Sequence, residues 1–149
     1  MSPTFSHEIS VPLPPDRAMG LFTPKGEEDW VPGWRPNYVS PPSGETCQDM
    51  IFTTGAGHDL TIWTCLAWSP EAGRVRYLRN TPSSRIAFVE VICAADGPAR
   101  STVRVSYRFS ALTPEDAAYV ATITDTSFAA DIAEWQVLIE AHLSNMQAA

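Results

Sequence analysis

Phe128-Ala129-Ala130-Asp131-Ile132-Ala133-Glu134-Trp135, continued by Gln136-Val137-Leu138-Ile139-Glu140-Ala141-His142-Leu143, is the stretch on which the fold turns. Phe128, Ile132, Trp135, Ile139, His142 or Leu143, and Met146 recur at three- and four-residue steps, so they share one stripe of a long helix. An apolar stripe of that length needs another apolar surface to lie against. Just upstream, Thr113-Pro114-Glu115-Asp116 has an N-cap, a proline and two acids in the order that starts a helix. Thr122 to Ser127 is rich in β-branched and small polar residues, where the helix is expected to break or weaken.

The surface for the stripe is supplied by what precedes it. Val103, Val105, Tyr107 and Phe109 alternate with Arg104, Ser106, Arg108 and Ser110, the cleanest strand pattern in the chain. Moving back, Arg74–Arg79 and Arg85–Cys93 are β-rich runs around Thr81-Pro82-Ser83-Ser84, and Leu60–Trp68 and Gln48–Thr54 flank Gly55-Ala56-Gly57. A further strand is open within residues 35–40. At the front, Phe5, His7, Ile9 and Val11 alternate with polar residues as a half-buried strand, which Pro12, Pro14 and Pro15 end. A short helix follows from Pro15 to Phe22. Between Thr23 and Gly44 no period is evident, but Trp30, Trp34 and Tyr38 mark this as an ordered loop rather than a linker.

Composition sets the limits. The 149 residues are expected to form one domain over 1–149, and 44% apolar with 18% charged residues is ordinary for a packed globule. No run approaches the length of a membrane span, and Met1 to Glu8 does not read as a signal peptide, so a cytoplasmic protein is expected. Ten basic against 17 acidic residues leave a net charge of −7, which argues against nucleic acid as a partner. Cys47, Cys65 and Cys93 have no metal-ligand spacing, so no metal and no cofactor are expected. A homodimer is left open.

Strand, short helix, meander and terminal helix in this order resemble the helix-grip fold of the START-like superfamily, also called SRPBCC. That family holds lipid-transfer domains, polyketide cyclases and dehydratases. The resemblance rests on Val11-Pro12-Leu13-Pro14-Pro15-Asp16-Arg17-Ala18-Met19 as first strand and short helix, on Trp63 in a central strand, and on Phe128 to Trp135. The segment Phe22-Thr23-Pro24-Lys25-Gly26-Glu27-Glu28-Asp29-Trp30-Val31-Pro32-Gly33-Trp34 is similar to a bacterial subgroup. It implies an α+β fold in which an antiparallel sheet of six to seven strands wraps around the C-terminal helix. It also implies a cavity between the two that holds a hydrophobic or aromatic small molecule. An enzyme of the cyclase or dehydratase kind, or a co-chaperone-like interaction module, are the alternatives it leaves.

Parity and stripe then nominate the lining. Trp34, Phe52, Trp63 (or Ile62, depending on register), Tyr77, Phe88, Tyr107, Trp135 and Ile139 are the ligand-binding candidates. Trp30 and Trp34 read as a lid, a plug or an exposed docking patch. Three polar residues are weak catalytic candidates. His7 shares parity with Ile9 and Val11. Arg79 and Glu90 share a face with Tyr77 and Phe88 if the hairpin pairs odd with even residues, and a one-residue slip turns them outward. His58 reads as solvated and His142 as a partner for the helix dipole. Trp135 is expected to be largely buried.

Overall fold

A computed structural model describes residues 1–148. Seven strands form one antiparallel sheet: β1 (Thr4–Val11), β2 (Asn37–Ser40), β3 (Ile51–Thr54), β4 (Thr61–Ser69), β5 (Arg74–Thr81), β6 (Arg85–Ala95) and β7 (Ser101–Ala111). Their spatial order is β1-β7-β6-β5-β4-β3-β2, so β2 to β7 are a meander and β1 closes the far edge against β7. The chain crosses from one edge to the other between β1 and β2. It does so through α1 (Pro15–Ala18), a 3-10 turn at Met19–Phe22, and α2 (Pro24–Glu27). After β7 come α3 (Pro114–Val120) and α4 (Asp125–Ala148), separated where the β-branched run predicts the break. No helix among the described residues is long and apolar enough to cross a membrane.

One face of the sheet is dry. Val75 and Tyr77 on β5, Ala87, Val89, Val91 and Cys93 on β6, and Val103, Val105 and Phe109 on β7 are all buried. Strand periodicity puts these odd-numbered residues on the same side. α4 covers that side through Phe128, Ile132 and Ile139, packs against β1, and takes the Ser10 amide as a hydrogen bond to Gln136 Oε1 at 3.0 Å. The helix is thus gripped by the sheet, as its stripe requires.

The β5–β6 hairpin corrects one expectation. Thr81 pairs with Arg85, Arg79 with Ala87 and Tyr77 with Val89, so odd residues pair with odd residues across the turn. Arg79 therefore goes inward with Tyr77, while Phe88 and Glu90 go to the outer face. There Glu90 accepts from Arg74 at 2.7 Å and lies 3.8 Å from Arg76, whose guanidinium covers the Phe88 ring. The β4–β5 connection uses Gly73 at φ +71°, where an added Cβ would sit 2.2 Å from the Cys93 carbonyl oxygen. Only glycine fits there.

A second, smaller core of Ala87, Phe109 and Val120 seats α3 on the sheet. Arg85 locks it: Nε and Nη2 donate to the two Asp116 oxygens at 2.9 and 2.7 Å, and Asp116 itself is buried. Removing the carboxylate leaves a largely enclosed guanidinium without its fork. Asp116→Ala is expected to cost about 2 kcal/mol at neutral pH, read as a lowered urea midpoint with an unchanged slope.

Candidate functional site

Between the inner face and α4 lies a cavity of about 230 Å³. Its floor is sheet: Phe52 from β3, Trp63 from β4, Tyr77 and Arg79 from β5, Val89 and Val91 from β6, and Tyr107 from β7. α4 contributes Trp135. The remaining wall is the segment after the 3-10 turn, which supplies Pro24, Glu27, Trp30, Val31 and Trp34.

That last segment is not as irregular as its sequence reads. Thr23 caps α2, accepting from the Gly26 amide at 3.0 Å and donating to the Gly20 carbonyl at 2.8 Å. A Cβ on Gly26 would stand 1.9 Å from Gly20 O, so a glycine is needed for this close approach. The chain goes on in helical turns, Trp30 and Val31 amides bonding Glu27 O and the Trp34 amide bonding Val31 O. Residues 24, 27, 30–31 and 34 consequently fall on one side, toward the cavity. Tyr38 fastens the segment to β2: its hydroxyl bonds Glu28 and its ring lies under the Lys25 ammonium at 4.6 Å.

Aromatic rings make the wall. Phe52 and Trp63 stack with centroids 5.5 Å apart, and Trp34 meets both edge-on. On the opposite side Trp135 lies 5.7 Å from Trp30 and 6.4 Å from Phe22. Three of the four indole N–H groups are used within the protein: Trp30 donates to Leu21 O at 2.9 Å, Trp34 to Pro24 O at 2.9 Å, and Trp63 to Thr54 Oγ1 at 3.0 Å. Tyr77 likewise donates to Phe22 O at 2.8 Å. These residues are held rigidly and show the cavity their ring surfaces.

The polar groups are few. Burial pushes the Glu27 carboxyl from its ordinary 4.5 up to about 8. The Tyr107 phenol goes up to about 12, again by burial, with Arg79 pulling it down and Glu27 pushing it up. Arg79 leans over the Trp63 ring at 5.5 Å, and its Nε is buried without a hydrogen-bond partner. Among the described residues the ion pairs are Lys25–Glu28, Arg74–Glu90, Arg76–Glu90 and Arg85–Asp116; Arg79 and Glu27 are in none.

Of the sequence candidates, Trp34, Phe52, Trp63, Tyr77, Tyr107, Trp135 and Arg79 meet at this cavity. Phe88 and Glu90 lie on the other side of the sheet. Ile139 is fully buried in the core but not on the cavity wall, and half-buried His7 faces inward on β1, away from it. Trp135 is half-buried rather than largely buried, because part of its ring faces the cavity. Glu27 is the group that the sequence reading missed. The 24, 27, 30–31, 34 spacing was the available signal, masked by the run Glu27-Glu28-Asp29, which reads as a solvated loop.

No protein-family profile matches the chain, and no curated protein does. Solved structures do. Norcoclaurine synthase from Thalictrum flavum, in complex with dopamine and hydroxybenzaldehyde, superposes with a TM-score of 0.65 at 15% identity, covering 95% of this chain and 88% of that one. Major latex-like protein 151 from Panax ginseng gives 0.69 at 14%, covering 95% and 97%. The di-domain ARO/CYC BexL from the BE-7585A biosynthetic pathway gives 0.66 at 18%, covering 93% of this chain and 46% of the longer one. This is the helix-grip fold. Identities this low carry the fold alone, so what the scaffold holds here must be argued from its own cavity.

Proposed function

We propose that the chain binds a hydrophobic, aromatic small molecule between the sheet and α4. The observation that carries this is the wall itself, in which Trp30, Trp34, Trp63 and Trp135 converge on one cavity and three of their N–H groups are already satisfied. Ring faces around a few placed polar groups are the usual make-up of a small-molecule site. Native mass spectrometry of freshly purified protein is expected to show a discrete small-molecule adduct. Thermal-shift screening with arenes should then give saturable stabilisation. A bare polypeptide mass together with no stabilisation by any arene overturns the reading.

Glu27 favours a second reading, proton transfer within the same cavity in the manner of a cyclase or dehydratase. A carboxyl with a pKa of about 8 is mostly protonated at neutral pH yet close enough to it to give up and recover its proton, which suits a general acid or base. Arg79 would then stabilise negative charge developing on a carbonyl oxygen. On that reading Glu27→Gln stops turnover of a bound ligand without displacing it. The interaction-module reading has less support: Trp30 is 5% exposed and Trp34 is half-buried, so they form no open apolar patch.

A further inference from the structure

Three arginines in this protein can be compared at the same atom. Arg74 Nε donates to Glu90 at 2.8 Å, and Arg85 Nε to Asp116 at 2.9 Å. In both, an Nη2 of the same guanidinium reaches the same carboxylate: Arg85 grips both Asp116 oxygens in the two-pronged arrangement that arginine and carboxylate geometry favours, while both Arg74 nitrogens converge on Glu90 Oε2. Arg79, by contrast, lines the cavity, is in no ion pair among the described residues, and has a buried Nε with no acceptor among them. A buried donor is rarely left unmet, because its lost hydration has to be replaced.

The charge around it has the same sense. Tyr77, Arg79 and Tyr107 are the titratable side chains that face Glu27 across the cavity, from β5 and β7, and α4 brings the uncharged Trp135. With Glu27 protonated at neutral pH and both phenols protonated, the cavity carries the single positive charge of Arg79. Size narrows the choice further. A void of about 150 Å³ admits benzene, so about 230 Å³ accommodates one ring, or two fused rings, with a short polar arm.

We propose that the ligand is a small aromatic carboxylate whose acid group docks on the Arg79 guanidinium, which has no ion-pair partner among the described residues, while its ring lies among Trp34, Trp63 and Trp135. This rests on the binding reading above and narrows it. Trp63 serves both halves of the ligand, since its face already holds the guanidinium in place. Ionisation of Glu27 at higher pH would cancel the cavity's charge and weaken the anion's hold.

The test is isothermal titration at neutral pH with benzoate, phenylacetate, indoleacetate and naphthoate, their primary amides, and phenethylamine. At least one acid is expected to bind saturably and about tenfold or more tighter than its own amide. Arg79→Gln should bring acid and amide to equal affinity while the amide's own affinity holds. Above the Glu27 pKa the wild-type preference for the acid should shrink, and Glu27→Gln should keep it. Equal binding of acid and amide by the wild type, or preference for the amine, overturns the carboxylate proposal and leaves the aromatic-binding reading standing. Failure of every acid, amide and amine to bind overturns both. If Arg79→Gln does not fold, as judged by circular dichroism, the Glu27→Gln pH series decides: the same decline in both proteins counts against the proposal.

Discussion

Glu27→Gln is expected to remove a large fall in stability that the wild type undergoes between about pH 4.5 and pH 8. The folded-state carboxyl has its pKa raised by burial, so in this window the native protein keeps a proton that the unfolded chain has released. Stability is then fully present below the unfolded pKa and declines as pH rises toward the folded one. The steepest slope for one proton is about 1.4 kcal/mol per pH unit. With water in the cavity relieving part of the burial, the whole window is worth about 2–4 kcal/mol. Above pH 8 the glutamine variant should be more stable than the wild type by that amount, and near pH 4 the two should coincide. Urea midpoints of both proteins across the pH range measure it, and the difference between them isolates Glu27 because every other titrating group is common to both. A wild-type curve parallel to the variant's would mean that the carboxyl is solvated. Glu27 would then lose its role as a proton donor in the cavity.

That a carboxyl is tolerated in such a place is informative in itself. A glutamine or leucine would fill the space without the penalty, so the position carries a destabilising group in the same cavity as the Tyr107 phenol and an arginine that has no ion pair among the described residues. Local rules are broken at functional sites more often than elsewhere, and the two breaches here, Glu27 and Arg79 Nε, share one cavity. A neutral carboxyl leaves the Arg79 charge uncompensated and open to a ligand's anion, and neutral is the state that burial selects.

The sheet and helix were legible in the sequence because each depends on a local period. The alternation of Val103, Val105, half-buried Tyr107 and Phe109 and the stripe Phe128, Ile132, Ile139 give the inward faces directly. What was not legible depends on register. Tyr77, Arg79, Phe88 and Glu90 alternate on their own strands whichever way the hairpin closes. Only the turn, in which Thr81 pairs with Arg85, decides that Arg79 enters the core side and Glu90 the solvent side. A one-residue difference in loop length exchanges a cavity group for a surface salt bridge. The segment 23–34 failed for another reason: its helical turns are too short and too proline-rich to show as a helix. Their alignment is set by the Thr23 cap and the close approach of Gly26 to Gly20 rather than by an apolar pattern.

Trp135→Ala should lower stability by about 3 kcal/mol, toward the lower end for a buried tryptophan because part of the ring already faces open space. The loss falls on two contacts at once. Trp135 packs on Phe22, whose backbone carbonyl also receives the Tyr77 hydroxyl, and on Trp30, whose indole is tied to Leu21. It is therefore the side chain by which α4 holds the segment 22–34 over the sheet. Truncation should loosen that segment as well as the helix, seen as faster hydrogen exchange at the Trp30, Val31 and Trp34 amides. Trp135→Phe keeps a ring on Phe22 and should cost less than about 1.5 kcal/mol while changing arene affinity, since it recuts the cavity wall. Ile139→Ala is the contrasting case. Ile139 is fully buried but off the cavity wall, so its loss should cost stability and leave affinity alone. If Trp135→Ala unfolds at the wild-type midpoint, the segment is held down by its own hydrogen bonds and α4 is only a neighbour. If it unfolds early but its amides exchange at the wild-type rate, the cost lies in the helix alone. Only early unfolding with faster exchange at those amides makes Trp135 the clasp between them.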